Sequence, residues 1–388
     1  MINCIIIGPA GGEFVVNRLK EKIKICAKDI GIDLIGFTSA APFNEMKEIL
    51  MERKEKGYLS GFEEQDIGKR IDPKQIMPDA RTIIAIAINY YVEKPRLLEG
   101  KERPLGAIAR SAWGRDYHEV LRDKLLLLMQ NIEKLIGPFQ YKIYVDTGSL
   151  SDRAVAWRAG LGWFGKNNML ITKKYGSWVF LGYAIVNFEV EPDQPMPDQC
   201  AGCNACIQAC PAEALEEGYK LQGKKCLSFI TQTKEDITPE VRQKMGNRLY
   251  GCDTCQCVCP HNHMVEETKH QEFSPEAYSD RPDLIEILHM DNKTFKVRYG
   301  KTAAGWRGKN NIRRNAIIAL ANRKDPLAIP HLKKLLFDES NMIRKYAIWA
   351  IIKLDAELAR SIIKAHLENE KDEEIREIIE EFLGDDSH

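Results

Sequence analysis

Apolar residues recur at Leu19, Ile23, Ala27 and Ile30, a spacing that sets them on one face of a helix. The segment Asp33 to Thr38 follows, then Arg81 to Asn89, a β-branched run suited to a buried strand. Asp116 to Ile136 has the period of a long amphipathic helix and closes at Gly137-Pro138. Tyr141 to Val145 alternates as a strand and stops at Asp146-Thr147-Gly148. Ser151 is placed to cap a helix that runs to Ala159 and ends at Gly160, and Trp178 to Val186 predicts another strand. Helix and strand alternate, so residues 19–195 read as one α/β domain behind an N-terminal extension, residues 1–18.

The pattern then changes. A stretch rich in Pro and acid, Glu189 to Gln199, leads into residues 196–265, which hold nine of the eleven cysteines. Residues 266–300 read as a connector, and residues 301–388 repeat themselves. Ile312-Arg313-Arg314-Asn315-Ala316 recurs as Ile343-Arg344-Lys345-Tyr346-Ala347, and a fainter copy starts at Ile375-Arg376. Steps of 31 and 32 residues with helical periodicity, and Pro326 in the first connector, predict stacked helix pairs of the HEAT type. An unrelated helical bundle is the alternative. The expected fold class is α+β and multidomain.

Charge narrows the partners: Lys plus Arg and Asp plus Glu both total 56, so no overall field draws the chain to nucleic acid or membrane. No apolar run approaches the roughly 18 residues of a membrane span, so no membrane association is expected. Ile5-Ile6-Ile7 is too short and lacks the basic flank of a signal peptide, so export is not indicated. The glycines after it are not followed by the Lys-Ser/Thr of a phosphate loop.

The cysteines carry the strongest chemical signal. Cys200, Cys203, Cys206 and Cys210-Pro211 have the bacterial ferredoxin spacing, in which three close thiolates hold one cluster and the Cys before Pro ligates the other. Cys252, Cys255 and Cys259-Pro260 form an imperfect second half, and Cys226 supplies the missing thiolate. By the crossing rule, Cys200, Cys203, Cys206 and Cys259 hold one 4Fe-4S cluster, while Cys210, Cys226, Cys252 and Cys255 hold the other in a ferredoxin-like domain. Paired zinc sites prefer two separated Cys-x-x-Cys knuckles, and disulfides are disfavoured in a chain with no export signal. Cys257 sits between assigned ligands and is left out of both sets.

Other chemistry separates an enzyme from an electron carrier. Asp146 follows a predicted strand and precedes a predicted helix, where open α/β sheets place ligand-contacting residues, though a turn residue fits equally. Asp-Thr-Gly resembles an aspartic protease half-site, but no second copy exists to share the proton. The glycine-rich stretch Gly160 to Asn168 permits close backbone approach to a flat ligand, or makes an ordinary turn. Lys301, Arg307, Lys309, Arg313 and Arg314 fall within fourteen residues free of acid, which suits phosphate contact; taken alone, such a cluster is a solvated helix face.

Many segments together resemble the epoxyqueuosine reductases, cobalamin-dependent enzymes of tRNA modification. They include Lys69 to Pro73, Trp113 to His118, Val145 to Gly148, Arg153 to Ala156, Arg158 to Asn167, Cys226 to Ser228, Gly251 to Gln256, Trp306 to Gly308 and Arg314 to Ala316. The resemblance implies that the clusters feed electrons singly to a cobalamin held by the α/β domain, which then becomes the cobalamin-binding catalytic domain. It implies reduction of epoxyqueuosine to queuosine at the wobble position, the last step of queuosine biosynthesis. Asp146 would be the proton donor, a role that suits it if a partly dry site raises its pKa. Arg70, Asp146, Asn168, Leu170, Ser228 and Gln256 would line the cobalamin, several through backbone atoms, and Arg153 would join the basic cluster against tRNA. A cytoplasmic monomer drawing on a flavodoxin or ferredoxin is implied as well. Ser111, Cys257 and His261 depart from the family pattern, and these departures leave Asp146 and the eight ligands in place. A reductive dehalogenase would be expected to carry a twin-arginine export signal and no repeat tail; a plain carrier would not need the α/β domain.

Overall fold

A computed structural model describes residues 12–93, 103–217, 219–276 and 280–384. The glycine-rich stretch after Ile7 and most of the expected extension lie outside them. The chain forms two compact units: one of residues 1–93, 116–224 and 254–272, the other of residues 94–115, 225–253 and 273–388. The boundary between the units passes through the cysteine-rich region, residues 196–265. Their elements are one or two turns or two-residue strands, such as the hairpin Leu215–Glu216 with Lys220–Leu221.

In the first unit, α1 (Gly12–Asp29) leads to β1 (Leu34–Ser39), α2 (Asn44–Glu55), β2 (Thr82–Asn89), α3 (Tyr117–Ile136), β3 (Tyr141–Tyr144), α4 (Asp152–Arg158) and β4 (Val179–Val186). The strands make a four-stranded sheet in the order β1-β2-β4-β3, antiparallel at every pairing. Mixed helix and strand content therefore holds, but the alternation does not produce a parallel sheet, and the switch-point argument for Asp146 falls away. Every residue of β2 is buried because both faces of the sheet are covered. Ile83, Ala85 and Ala87 pack with Ala154 and Val155 of α4 and Ala159 just after it, while a Cβ at Gly182 would meet Leu125 of α3 at 3.2 Å on the other face.

The second unit holds α5 (Lys309–Arg323), α6 (Ile329–Leu335), α7 (Asn341–Leu354), α8 (Ala356–Leu367) and α9 (Glu373–Gly384). Ile312, Ile343 and Ile375 open α5, α7 and α9 with 2%, 0% and 1% exposure, so the sequence repeat is a repeat of core positions. The expected connector also folds here, as helices Leu284–Leu288 and Asn292–Tyr299. Among the described residues no helix is long and apolar enough to cross a membrane.

Candidate active site and cluster cysteines

Asp146 lies two residues beyond the edge strand β3, in the turn that reaches α4, and takes the left-handed backbone conformation with φ +58°. A residue with a side chain gives up about 1–2 kcal/mol to sit there, so the turn must be held by contacts. The backbone N–H of Asp146 donates to Asp152 Oδ2 at 2.8 Å. Its own Oδ2 accepts from the Tyr117 hydroxyl at 3.0 Å, and His118 Nε2 stands 3.6 Å away with the Asp146 side chain 67% exposed.

Tyr117 and His118 open α3, and Asp116 caps that helix. One carboxylate oxygen of Asp116 accepts from the His118 backbone N–H at 3.0 Å and meets His118 Nδ1 at 2.7 Å. Capping geometry thus aims the imidazole at Asp146. The Tyr117 ring stacks on Phe180 of β4 at 4.3 Å and on His118 at 4.0 Å.

Burial opposes a charged imidazole, but the hydrogen bonds to Asp116 and Asp146 outweigh it and raise the His118 pKa to about 9. The His118 hydrogen bond is the main cause holding Asp146 below its ordinary value, against burial and with help from Tyr117. The expectation that a dry site lifts the Asp146 pKa is corrected: its partner carries the proton. Burial, and then the charge of Asp146, push the neighbouring Asp152 carboxyl up to about 7. Tyr117, His118, Asp116 and Asp152 had no role assigned from sequence. The Asp-x-His spacing at a predicted helix start was the available signal.

The residues expected around a cofactor fall in both units. Arg153 of α4 donates from Nη1 to the backbone oxygen of Asn168 and, at 2.6 Å, to its Oδ1. Asn168 is itself left-handed, φ +62°, and its Nδ2 donates to the Tyr219 carbonyl at 3.1 Å. Arg70 lies on the short helix Ile67–Ile71, where burial lowers its pKa and Glu63 and Arg53 act on it. Leu170 is 2% exposed, inside the core. The Gln256 amide donates to Tyr90 Oη, the Ser177 carbonyl and Ser177 Oγ at 3.0–3.2 Å. Leu170 and Gln256 therefore have their side chains committed internally. Ser228 belongs to the second unit, on the short helix Leu227–Ile230.

Cys200, Cys203, Cys206 and Cys259 line one cavity of the first unit together with Lys166, Ile171, Ala205, Pro260 and His261. Four thiols from two distant stretches around one space are the donor set of an iron–sulfur cluster. Lys166 fixes one wall by donating to the Ala201 carbonyl and Asn204 Oδ1, both at 2.9 Å, and Trp163 and Ile171 pack against Cys259 behind it. Cys210 and Cys255 lie in the first unit and Cys226 and Cys252 in the second; all four are partly buried, and none of the described cysteines is in a disulfide.

The basic cluster divides. Arg314 is 0% exposed and Arg313 6%. Arg314 donates to the carbonyls of Thr233 and Ile230 and to Asn315 Oδ1, and Arg313 to the Leu288 carbonyl and Asp338. Arg313 and Arg314 are thus buried in internal contacts instead of lying on a solvated face as expected. In Arg307 the Nε donates to the Gln232 carbonyl at 2.7 Å, and its guanidinium lies 4.5 Å over the ring of Trp306, itself 53% exposed.

Thiolates around a cavity, an acid–base array at a strained turn and a helical repeat define an iron–sulfur enzyme with an appended repeat domain. A family model described as epoxyqueuosine reductase QueG, DUF1730, matches residues 70–147; the 4Fe-4S double cluster binding domain matches residues 199–262 and HEAT repeats match residues 307–384. The Bacillus subtilis epoxyqueuosine reductase is 46% identical over 373 residues, 95% of this chain and 96% of that protein. A crystal structure of epoxyqueuosine reductase with an epoxyqueuosine-modified tRNA-Tyr stem loop superposes with TM-score 0.91 at 44% identity, covering 95% of this chain and 99% of the other. A Bacillus subtilis structure whose catalytic aspartate loop is swung out of the active site gives TM-score 0.90 at 43% identity, covering 95% and 99%. The chain belongs to the epoxyqueuosine reductase family. It is an oxidoreductase with a double 4Fe-4S cluster domain.

Proposed function

We propose that this enzyme reduces epoxyqueuosine to queuosine in the anticodon of tRNA, using two electrons and two protons and releasing the epoxide oxygen as water. The observation that carries the proposal is the Asp146 carboxylate, two-thirds exposed and tied to a phenol on one side and an imidazole on the other. Because His118 holds its proton up to about pH 9, the pair stores one proton at neutral pH. As negative charge develops on the departing oxygen, the His118 proton passes to it through Asp146, the member of the pair open to it, and solvent supplies the second proton. Tyr117 and Asp116 hold the two in register.

Cys200, Cys203, Cys206 and Cys259 would hold one cluster and Cys210, Cys226, Cys252 and Cys255 the other, passing electrons inward from a small carrier such as a flavodoxin or ferredoxin. A cobalamin, when bound, supplies a low-valent cobalt able to act on the epoxide carbon. Support for its site comes from Asn167, whose Nδ2 is buried with no partner beside the left-handed Asn168. Arg70 would face it with its side chain, and Asn168, Leu170, Ser228 and Gln256 would line it, several through backbone atoms. Lys301, Arg307, Lys309 and Arg153 would meet tRNA, and the enzyme would act as a monomer in the cytoplasm.

The test is Asp146→Ala, assayed by mass spectrometry of nucleosides from treated tRNA. Turnover should vanish while cluster and cobalamin absorbance persist. Retained turnover, or loss of the absorbance, would overturn the assignment.

A further inference from the structure

The turn bearing Asp146 is held at two points. Its side chain meets Tyr117 and His118 at the surface, and its main chain meets Asp152 beneath. Asp152 is the first residue of α4, whose register is set by the Ser151 cap on the Ala154 N–H. Two residues after Asp146 the turn is pressed against the sheet, since a Cβ at Gly148 would stand 2.2 Å from the Tyr183 hydroxyl. The left-handed backbone at Asp146 would relax toward the ordinary regions if nothing accepted its N–H.

We infer that Asp152 is a positioning residue for the acid–base step: its carboxylate clamps the backbone N–H of Asp146 and keeps the Asp146 side chain turned toward Tyr117 and His118. The inference builds on the role proposed for Asp146. The groups facing Asp152 are Asp146 and Arg153 of its own segment and Tyr183 of the sheet. Burial and the charge of Asp146 lift the Asp152 carboxyl to about 7, so the clamp weakens as Asp152 takes up a proton.

The experiment is amide hydrogen exchange at residue 146 in the anaerobic holoenzyme, alongside turnover. Asp152→Ala should speed exchange roughly ten- to hundredfold, the loss of a hydrogen bond to a charged acceptor, and lower kcat with KM little changed. Asp152→Asn, which keeps an acceptor oxygen but not its charge, should restore only part of both. In the unsubstituted enzyme, protection at residue 146, corrected for intrinsic pH dependence, should fall as pH drops through about 7. Unchanged exchange in Asp152→Ala overturns the clamp; if that variant does not fold, absence of the pH step in the unsubstituted enzyme overturns it. Protection is read without turnover, so it separates a failed clamp from a failed role for Asp146, which Asp146→Ala reports.

Discussion

His118→Gln removes the imidazolium between Asp116 and Asp146. Raising the His118 pKa from 6.5 to about 9 corresponds to about 3 kcal/mol of preference for the charged form in the folded protein. With the side chain 31% exposed, solvent screening lowers this to roughly 1–2 kcal/mol. The pKa is raised, so the contribution is complete below the unfolded value near 6.5 and disappears as pH rises through about 9. Urea denaturation at about pH 6 should therefore show the variant weaker by that amount, and the gap should close above about pH 10. Turnover of the unsubstituted enzyme should fall along the same alkaline limb. A His118 ring titration by NMR with a midpoint near 6.5, or a stability gap independent of pH, would refute the reasoning.

Other perturbations reach separate parts of the molecule. Gly148→Ala should cost about 1–3 kcal/mol and lower turnover by displacing the Asp146 turn, because its Cβ meets the Tyr183 hydroxyl at 2.2 Å; adding Tyr183→Phe should recover part of the loss in a thermal-shift assay. Arg314→Ala should destabilise by about 3 kcal/mol or more by removing the donor to buried carbonyls, whereas Arg307→Glu should leave stability nearly unchanged and weaken tRNA binding, lowering its salt slope by about one. Filter binding at several salt concentrations separates the two. Cys259→Ala should cut reconstituted iron from about eight atoms per chain to about four, and Cys257→Ala should leave it unchanged, by anaerobic elemental analysis.

Local signals placed most elements within a residue or two. The run at Arg81 to Asn89 became a strand buried along its length, and Ser151 caps its helix as its position required. Cysteine spacing is likewise legible, because cluster ligation constrains short sequence intervals directly. The division of labour among the arginines was not legible. Arg307 and Arg314 are both cations in one acid-free stretch, yet one lies beside an exposed tryptophan and the other is wholly buried, because Arg307 precedes α5 while Arg314 lies on the covered part of it.

The sequence by itself determined the cysteine spacing, the helical repeat and the strands, since each depends on spacing along the chain. Tertiary structure alone decided that the sheet is antiparallel and that Asp116, Tyr117 and His118 stand beside Asp146. It also decided that Asp152 lies under that turn and that Asp146 is ionised beside a protonated histidine. These depend on which residues the folded chain brings together, and a pKa follows from the charges and solvent around a group in space rather than from its neighbours in the chain.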